Sequence, residues 1–355
     1  MGLRRSRNKA AGLRRSRNKA APEVPNMNSP AFKAAASTHL NLTKRFTSFP
    51  SNQDLEALPE ARRLKALIVE FLQHVPRLHC MTWRKMLLRA YPELEGNELD
   101  EILTKLVVRC WRLRASAEPY ALHDFIEFCA GQGNLTMACL RSMLYGLCLD
   151  LLYHEDHNMI TRKGLRFWID CISESKIGAM CWWGTRCSSW SGMSRRYHKR
   201  SASNNFWGDC SRLFVRQGNL MQVVTALTMM FSYFCGCSPV LEQPTGSCMP
   251  KTEPLHTVLP GIGAKKWVIW HGAWGGTSPK PLQLWSARDL KALVRPRPKK
   301  MVSDSLVRKG QKRMSDNSTK ATYTGTKALK QSQTYCMAFG KAVALLAKIW
   351  VTQGR

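Results

Sequence analysis

The spacing of apolar residues divides the chain into stretches with different expectations. Up to about residue 53 there is no apolar period, and Ala, Ser, Asn and Pro dominate. Such a composition buries too little surface to order itself, so this arm is expected to be disordered. From 54 to 117 the period is helical. Leu64, Leu67, Ile68, Phe71 and Leu72 share one face, as do Leu99, Ile102, Leu103, Leu106 and Val107. From 118 to 350 short apolar runs alternate with amphipathic stretches, the signature of α/β architecture. Strands are predicted at 125–129, 146–150, 177–182, 238–241, 267–270 and 282–285, and helices at 135–143, 164–172, 218–234 and 337–350. The expected fold class is α/β: a doubly wound, mostly parallel, Rossmann-like sheet, preceded by a small helical region and a basic N-terminal arm. Polar, basic stretches at 188–217 and 295–330 read as loops, the second with eleven Lys or Arg against two Asp.

One run, 220–241, carries no charge over 22 positions. Its length would suit a membrane span, but Gln222, Gly236, Pro239 and several hydroxyl residues favour a buried helix, a turn and a strand. No membrane association is expected.

Charge changes the picture of the surface. Lys and Arg total 54 against 24 Asp and Glu, a net charge of +30. That field favours phosphate backbones or anionic membrane surfaces as partners. Part of it sits in residues 2–21, where GLRRSRNKAA is written twice. This repeat reads either as a nuclear-localisation or nucleic-acid arm or as a duplicated, solvated tail. The 13 cysteines are odd in number, follow no secretory leader and form no Cys-x-x-Cys pair. A reducing, nuclear or cytoplasmic setting fits them better than a disulfide framework.

Candidate chemistry begins at the turn Phe128-Cys129-Ala130-Gly131-Gln132-Gly133-Asn134, between a predicted strand and a predicted helix. Glycines there let the backbone approach a ligand and aim helix N–H groups at it. Asp150, nineteen residues after Gly131, ends the next strand, where an acid accepts hydrogen bonds from ribose hydroxyls. The plainer reading is a strand–helix turn beside a solvated Asp.

The run Glu127-Phe128-Cys129-Ala130-Gly131-Gln132-Gly133 resembles the Asp/Glu-x-Phe-x-Gly-x-Gly signature of the DNA cytosine-5 methyltransferases. The resemblance covers roughly 125–286, with a tail match near 335–346. It implies a Rossmann-like methyltransferase domain with S-adenosylmethionine held by Phe128, Gly131, Gly133, Asn134 and Asp150. It implies Cys187, in Gly184-Thr185-Arg186-Cys187, as the nucleophile that adds to cytosine C6, and Glu242, in Val240-Leu241-Glu242-Gln243-Pro244, as the acid at N3. The thiolate then needs a lowered pKa, for which Arg186 is the candidate charge, and the acid a raised one. The partner implied is a nucleic acid, DNA ahead of RNA, with Arg186, Trp190, Arg195, Arg196, Lys199 and Arg200 as contacts. The chain departs from the family pattern in three places: Arg186 stands for the proline before the nucleophile, Gln243-Pro244 for Asn-Val, and 275–281 lacks a late Arg-x-Arg. A catalytically inactive nucleic-acid-binding protein is therefore the alternative. Trp182, Trp183 and Trp190 suit either base stacking or core packing. His154, Glu155, Asp156 and His157 read as a polar loop, and no metal is expected.

Overall fold

The computed structural model describes residues 121–192, 194–298, 307–313, 319–325 and 334–354. The arm expected at 1–53 and the helical region expected at 54–117 lie outside them. Within the described residues the chain is α/β. Its main sheet is built from β1 (His123–Phe128), β2 (Gly146–Leu149), β3 (Ser175–Trp183), β4 (Ser238–Pro244), β5 (Lys265–Trp270) and β6 (Pro281–Ser286). The principal helices are α1 (Asn134–Arg141), α2 (Arg162–Ser173), α4 (Leu213–Phe234), α5 (Glu253–Gly261) and α6 (Met337–Gly354); α3 (Arg195–His198) is a single turn.

Strand order is β2-β1-β3-β4-β6-β5. The first four strands are mutually parallel, because each connection carries a helix back across the sheet. Between β5 and β6 only residues 271–280 intervene, too few for a crossover, so β6 returns antiparallel to both β5 and β4. From β1 the chain moves outward to β2 and then crosses back to β3 on the other side of β1. Connections thus leave in opposite directions between β1 and β3, which opens a crevice at the carboxyl ends of those two strands.

Alternation along the strands supplies two apolar faces. Ile126, Phe128, Cys181, Trp183 and Leu241 pack with residues of α2, α4 and α5. Phe125, Met180, Trp182, Val240 and Leu284 pack with residues of α1 and α6. All six residues of β1 are buried, as befits a strand covered on both sides. Phe128 lies between Trp168 and Trp183, with centroids 4.5 and 4.6 Å away. Such aromatic pairs add about 0.5–1.5 kcal/mol each beyond their area. At the start of α2, the Thr161 hydroxyl accepts from Gly164 N at 3.1 Å and caps the helix.

The uncharged run at 220–241 is most of α4, the turn after it and the first part of β4. The helix packs against α2, α5, β3 and β4, and from Leu220 to Ser232 none of its residues is exposed, so this part has no solvent face to carry charge. Among the described residues no helix is long and apolar enough to cross a membrane.

Four differences from expectation have physical reasons. Helix α4 begins at Leu213, five residues before the predicted start; the exposed Leu213 and Arg216 hide its first turn from the apolar period. Helix α5 was masked by its prolines; Pro254 sits in the first turn, where a missing N–H costs nothing, and Pro260 falls in the last. Strand β4 runs on to Pro244, which puts Glu242 inside the strand. The segment expected to be loop at 295–330 contains a separate two-stranded antiparallel ribbon, β7 (Val307–Arg313) with β8 (Thr319–Gly325).

Candidate cofactor and cysteine site

The turn after β1 is tight enough that α1 starts at Asn134, and it passes through three left-handed residues: Cys129, Gly131 and Gly133, at φ 56°, 56° and 64°. The two glycines serve different ends. A Cβ on Gly133 would lie 2.8 Å from Cys148 Sγ and 3.3 Å from the Tyr153 hydroxyl, whereas one on Gly131 would meet nothing within 4 Å. Gly133 permits packing, and Gly131 faces open space. Asp150, just past β2, accepts from Gly131 N at 2.8 Å through Oδ2 and from Leu152 N at 2.9 Å through Oδ1. The Tyr153 hydroxyl donates to Gly131 O at 2.5 Å. The acid therefore orients the turn, and each of its oxygens keeps a lone pair.

Beneath the turn lies Glu127, which is 1% exposed. Its Oε2 accepts from Thr136 N at 2.8 Å and from the Thr136 hydroxyl at 2.7 Å, while Oε1 is buried with no hydrogen-bond partner. Burial pushes this carboxyl up to about 7, with the nearby Asp150 charge adding to the rise and the Thr136 hydrogen bonds opposing it. Two further residues expected on the cofactor have defined partners. Phe128 is fully buried on the α2 side, because alternation turns it away from the turn that follows it. Asn134 donates through Nδ2 to Tyr335 O at 2.7 Å, tying the start of α1 to the segment entering α6.

Across the crevice, Gly184 N donates to Phe128 O at 3.0 Å and carries the β1–β3 ladder one residue past β3. The next residues are fixed by a buried polar staple. Gln243 Nε2 donates to Thr185 O at 2.6 Å, the Ser247 hydroxyl donates to Gln243 Oε1 at 2.9 Å, and the Thr185 and Thr225 hydroxyls lie 2.9 Å apart. This staple joins the peptide two residues before Cys187 to the residue after Glu242, and it brings the two candidate catalytic groups to one edge of the sheet. Burial raises the half-buried Cys187 thiol above the ordinary cysteine range, and the Glu242 charge raises it further; Lys280 and Arg186 oppose the shift. The expected low thiol pKa is thus corrected: the desolvation of a largely enclosed sulfur outweighs two cations. Glu242 is itself pushed up by burial, against the pull of Lys280 and of the Tyr335 hydroxyl, which donates to Oε2 at 3.1 Å. Trp182 Nε1 in turn donates to that hydroxyl at 3.2 Å.

The residues between β3 and α4 form a compact strap around Arg200. Its guanidinium is 1% exposed, lies 3.4 Å from the centroid of the buried Trp190 ring, and donates to Ser189 O, the Ser189 hydroxyl, Phe206 O, Trp207 O, Asn219 Oδ1 and Val215 O. Trp190 and Arg200 were expected to meet nucleic acid; the structure turns both inward, where the cation is consumed by carbonyls. Lys199 is exposed, with Nζ 3.5 Å from Asp209. Arg186 is exposed, its Nε donating to the Ser188 hydroxyl at 3.0 Å and its guanidinium 5.1 Å from the Phe214 ring centroid. Arg195 and Arg196 open the short helix α3.

Two members of the site escaped sequence reasoning. Tyr335 arrives from 153 residues beyond Trp182; it opens the tail match near 335–346, which assigned it no role. Lys280 leads into β6 and is the nearest thing to a shared cation for Cys187 and Glu242. Its only signal was its place in the segment lacking Arg-x-Arg. His154 and His157 lie in a polar turn, and no group of three or more metal-ligating side chains is present among the described residues. Comparison with protein-family models, with curated proteins and with solved structures gives no match.

Proposed function

We propose that the chain is a Rossmann-like, S-adenosylmethionine-dependent methyltransferase related to the cytosine-5 enzymes, acting on cytosine in nucleic acid, with DNA favoured over RNA. One observation carries this reading: the glycine turn, Asp150, Cys187 and Glu242 lie along the carboxyl edge of one sheet, on both sides of its switch point. The fit of the cofactor rests on Gly131, beside which a side-chain-sized space is open, and on the backbone-oriented Asp150 carboxylate, suited to paired hydroxyls. When bound, S-adenosylmethionine supplies the methyl group. Cys187, after giving up its thiol proton to a base, would add its sulfur to cytosine C6, which makes C5 nucleophilic; Glu242, whose burial shifts it toward the protonated form, stands to donate to N3. With the group bound, loss of the C5 proton to a base together with rupture of the C6–S bond would restore the C5–C6 double bond and return the Cys187 thiolate. The target must leave the stack for any thiol to reach C6. Arg186 and Lys199 are exposed local cations offered to the backbone.

The raised Cys187 thiol favours a second reading, an inactive nucleic-acid-binding protein on the same scaffold. Two measurements separate them. Calorimetry of the intact chain with S-adenosylmethionine is expected to show micromolar binding that Gly131→Asp abolishes; no binding to the folded chain removes the methyltransferase reading. Denaturing electrophoresis with a 5-fluorocytosine oligonucleotide is then expected to show a covalent adduct that Cys187→Ala loses. Cofactor binding without an adduct selects the inactive reading.

A further inference from the structure

Helices α1 and α6 pack side by side over one face of the sheet and meet through small residues. A Cβ on Gly340 would lie 2.9 Å from Ala138 Cβ. Along that contact runs a groove of about 390 Å³, whose lining includes Ala138, Arg141, Ser142, Lys341, Leu345 and Lys348. The lining holds three cations and no acid, and neither helix contains an acid along its length. Leu345 is 62% exposed, and Ile349, one turn on, is 41% exposed. Apolar surface between cations is the complement of an apolar helical stripe between acids, the fit by which a groove takes an amphipathic helix.

The sequence carries such a stripe at 93–107, outside the described residues. Positions 93–101 hold Glu93, Glu95, Glu98, Asp100 and Glu101 and no base, five of the chain's 24 acids. The helical period that aligns Leu99, Ile102, Leu103, Leu106 and Val107 puts Glu98 and Asp100 on opposite sides of the stripe, since each residue advances about 100°. The covalent path allows the match. Asp124, near the start of β1, donates through N to Tyr145 O at 2.8 Å and accepts from Tyr145 N at 2.7 Å. Tyr145 stands three residues after Ser142, so the chain enters the sheet beside one end of the groove. The fifteen residues from Val107 to Leu122 span at most about 50 Å, against about 17 Å for the stretch of α6 from Met337 to Lys348.

We propose that the α1–α6 groove is the docking site of the chain's own acidic segment 93–107, with the apolar stripe on Leu345 and the acids toward Arg141, Lys341 and Lys348. Charge complementarity selects this segment. The short tether selects the same chain over a second copy, because it holds the two surfaces at a high effective concentration. The proposal goes beyond the methyltransferase reading and needs neither the cofactor nor a nucleic acid.

The test uses the full chain with p-benzoylphenylalanine in place of Leu345, irradiated and then mapped by mass spectrometry. Position 345 is exposed, so the replacement leaves the core intact. The captured peptide is expected to fall within 93–107. An equal mixture of isotopically light and heavy chains is expected to give light–light and heavy–heavy products and no mixed ones. K341E/K348E in this background is expected to lower the yield about fivefold or more, and adding E98K/D100K to bring it back to within about twofold of the parent. Recovery in the combined variant shows that the reversed lysines act through charge and not through misfolding. Absence of capture, capture of another segment, or a yield indifferent to the charge reversals overturns the proposal. Mixed light–heavy products overturn it too, and assign the groove to a second copy of the chain.

Discussion

Gly131 and Gly133 share a backbone handedness but not surroundings, so alanine should affect them unequally. At Gly131 the cost is the left-handed backbone alone, about 1–2 kcal/mol. At Gly133 the same cost is joined by a contact 2.8 Å from Cys148 Sγ, and about 2–4 kcal/mol is expected in total. Urea unfolding of the two variants checks the order; equal losses would mean that Gly131 is packed after all. Glu127 gives a pH signature. Its folded-state pKa is raised from 4.5 to about 7, so between those values the folded chain binds more protons than the unfolded one. Stability is then full below about pH 4.5 and falls as pH rises through 7, by an amount on the order of 3 kcal/mol. E127Q is expected to flatten this part of the profile in thermal or urea melts between pH 5 and 8. A variant retaining the parent's slope would locate the titrating group elsewhere. Neither residue's role was legible from the motif alone. In the motif only Phe128 was expected at the cofactor, but alternation sends Phe128 into the α2 layer and places Glu127 under the turn.

At the scale of elements, the strap before α4 shows why a basic stretch is ambiguous. Its cations were counted together in the sequence, yet Arg200 serves as a buried hub with six acceptors while Lys199 next to it meets solvent and Asp209. Arg200→Met should cost about 3 kcal/mol or more, because carbonyls around Ser189, Phe206 and Val215 lose their donor inside the strap. Lys199→Met should fall within about 0.5 kcal/mol of the parent. Chemical denaturation distinguishes them, and matching values would show that the strap is held by something other than Arg200. The strands and the long helices were legible because their apolar periods are strong. Helix α5 was hidden by Pro254 and Pro260, since a proline reads as a breaker until its position in the turn is known. The ribbon was hidden by its own charge, since Lys, Arg and Gly310 in a row carry no alternating apolar face.

At the scale of the molecule, the order of strands organises everything proposed. The crevice between β1 and β3 follows from the chain turning back after β2, and alternating strands and helices in the sequence imply such a crevice without saying which loops line it. Glycine turn, Asp150, Cys187 and Glu242 stood out as candidates in chain order because each lies near the carboxyl end of a strand. Lys280 and Tyr335 were not, because their contribution depends on β6 running backwards between β4 and β5 and on α6 returning beside α1.

That return has a consequence for refolding. Tyr335 holds Asn134 across 201 residues, Trp182 across 153 and Glu242 across 93, so this wall of the crevice is made entirely of contacts distant in sequence. Closing long loops costs entropy before the contact repays it, and α6 is therefore expected to dock late, after the neighbouring strands β1, β3 and β4 have paired.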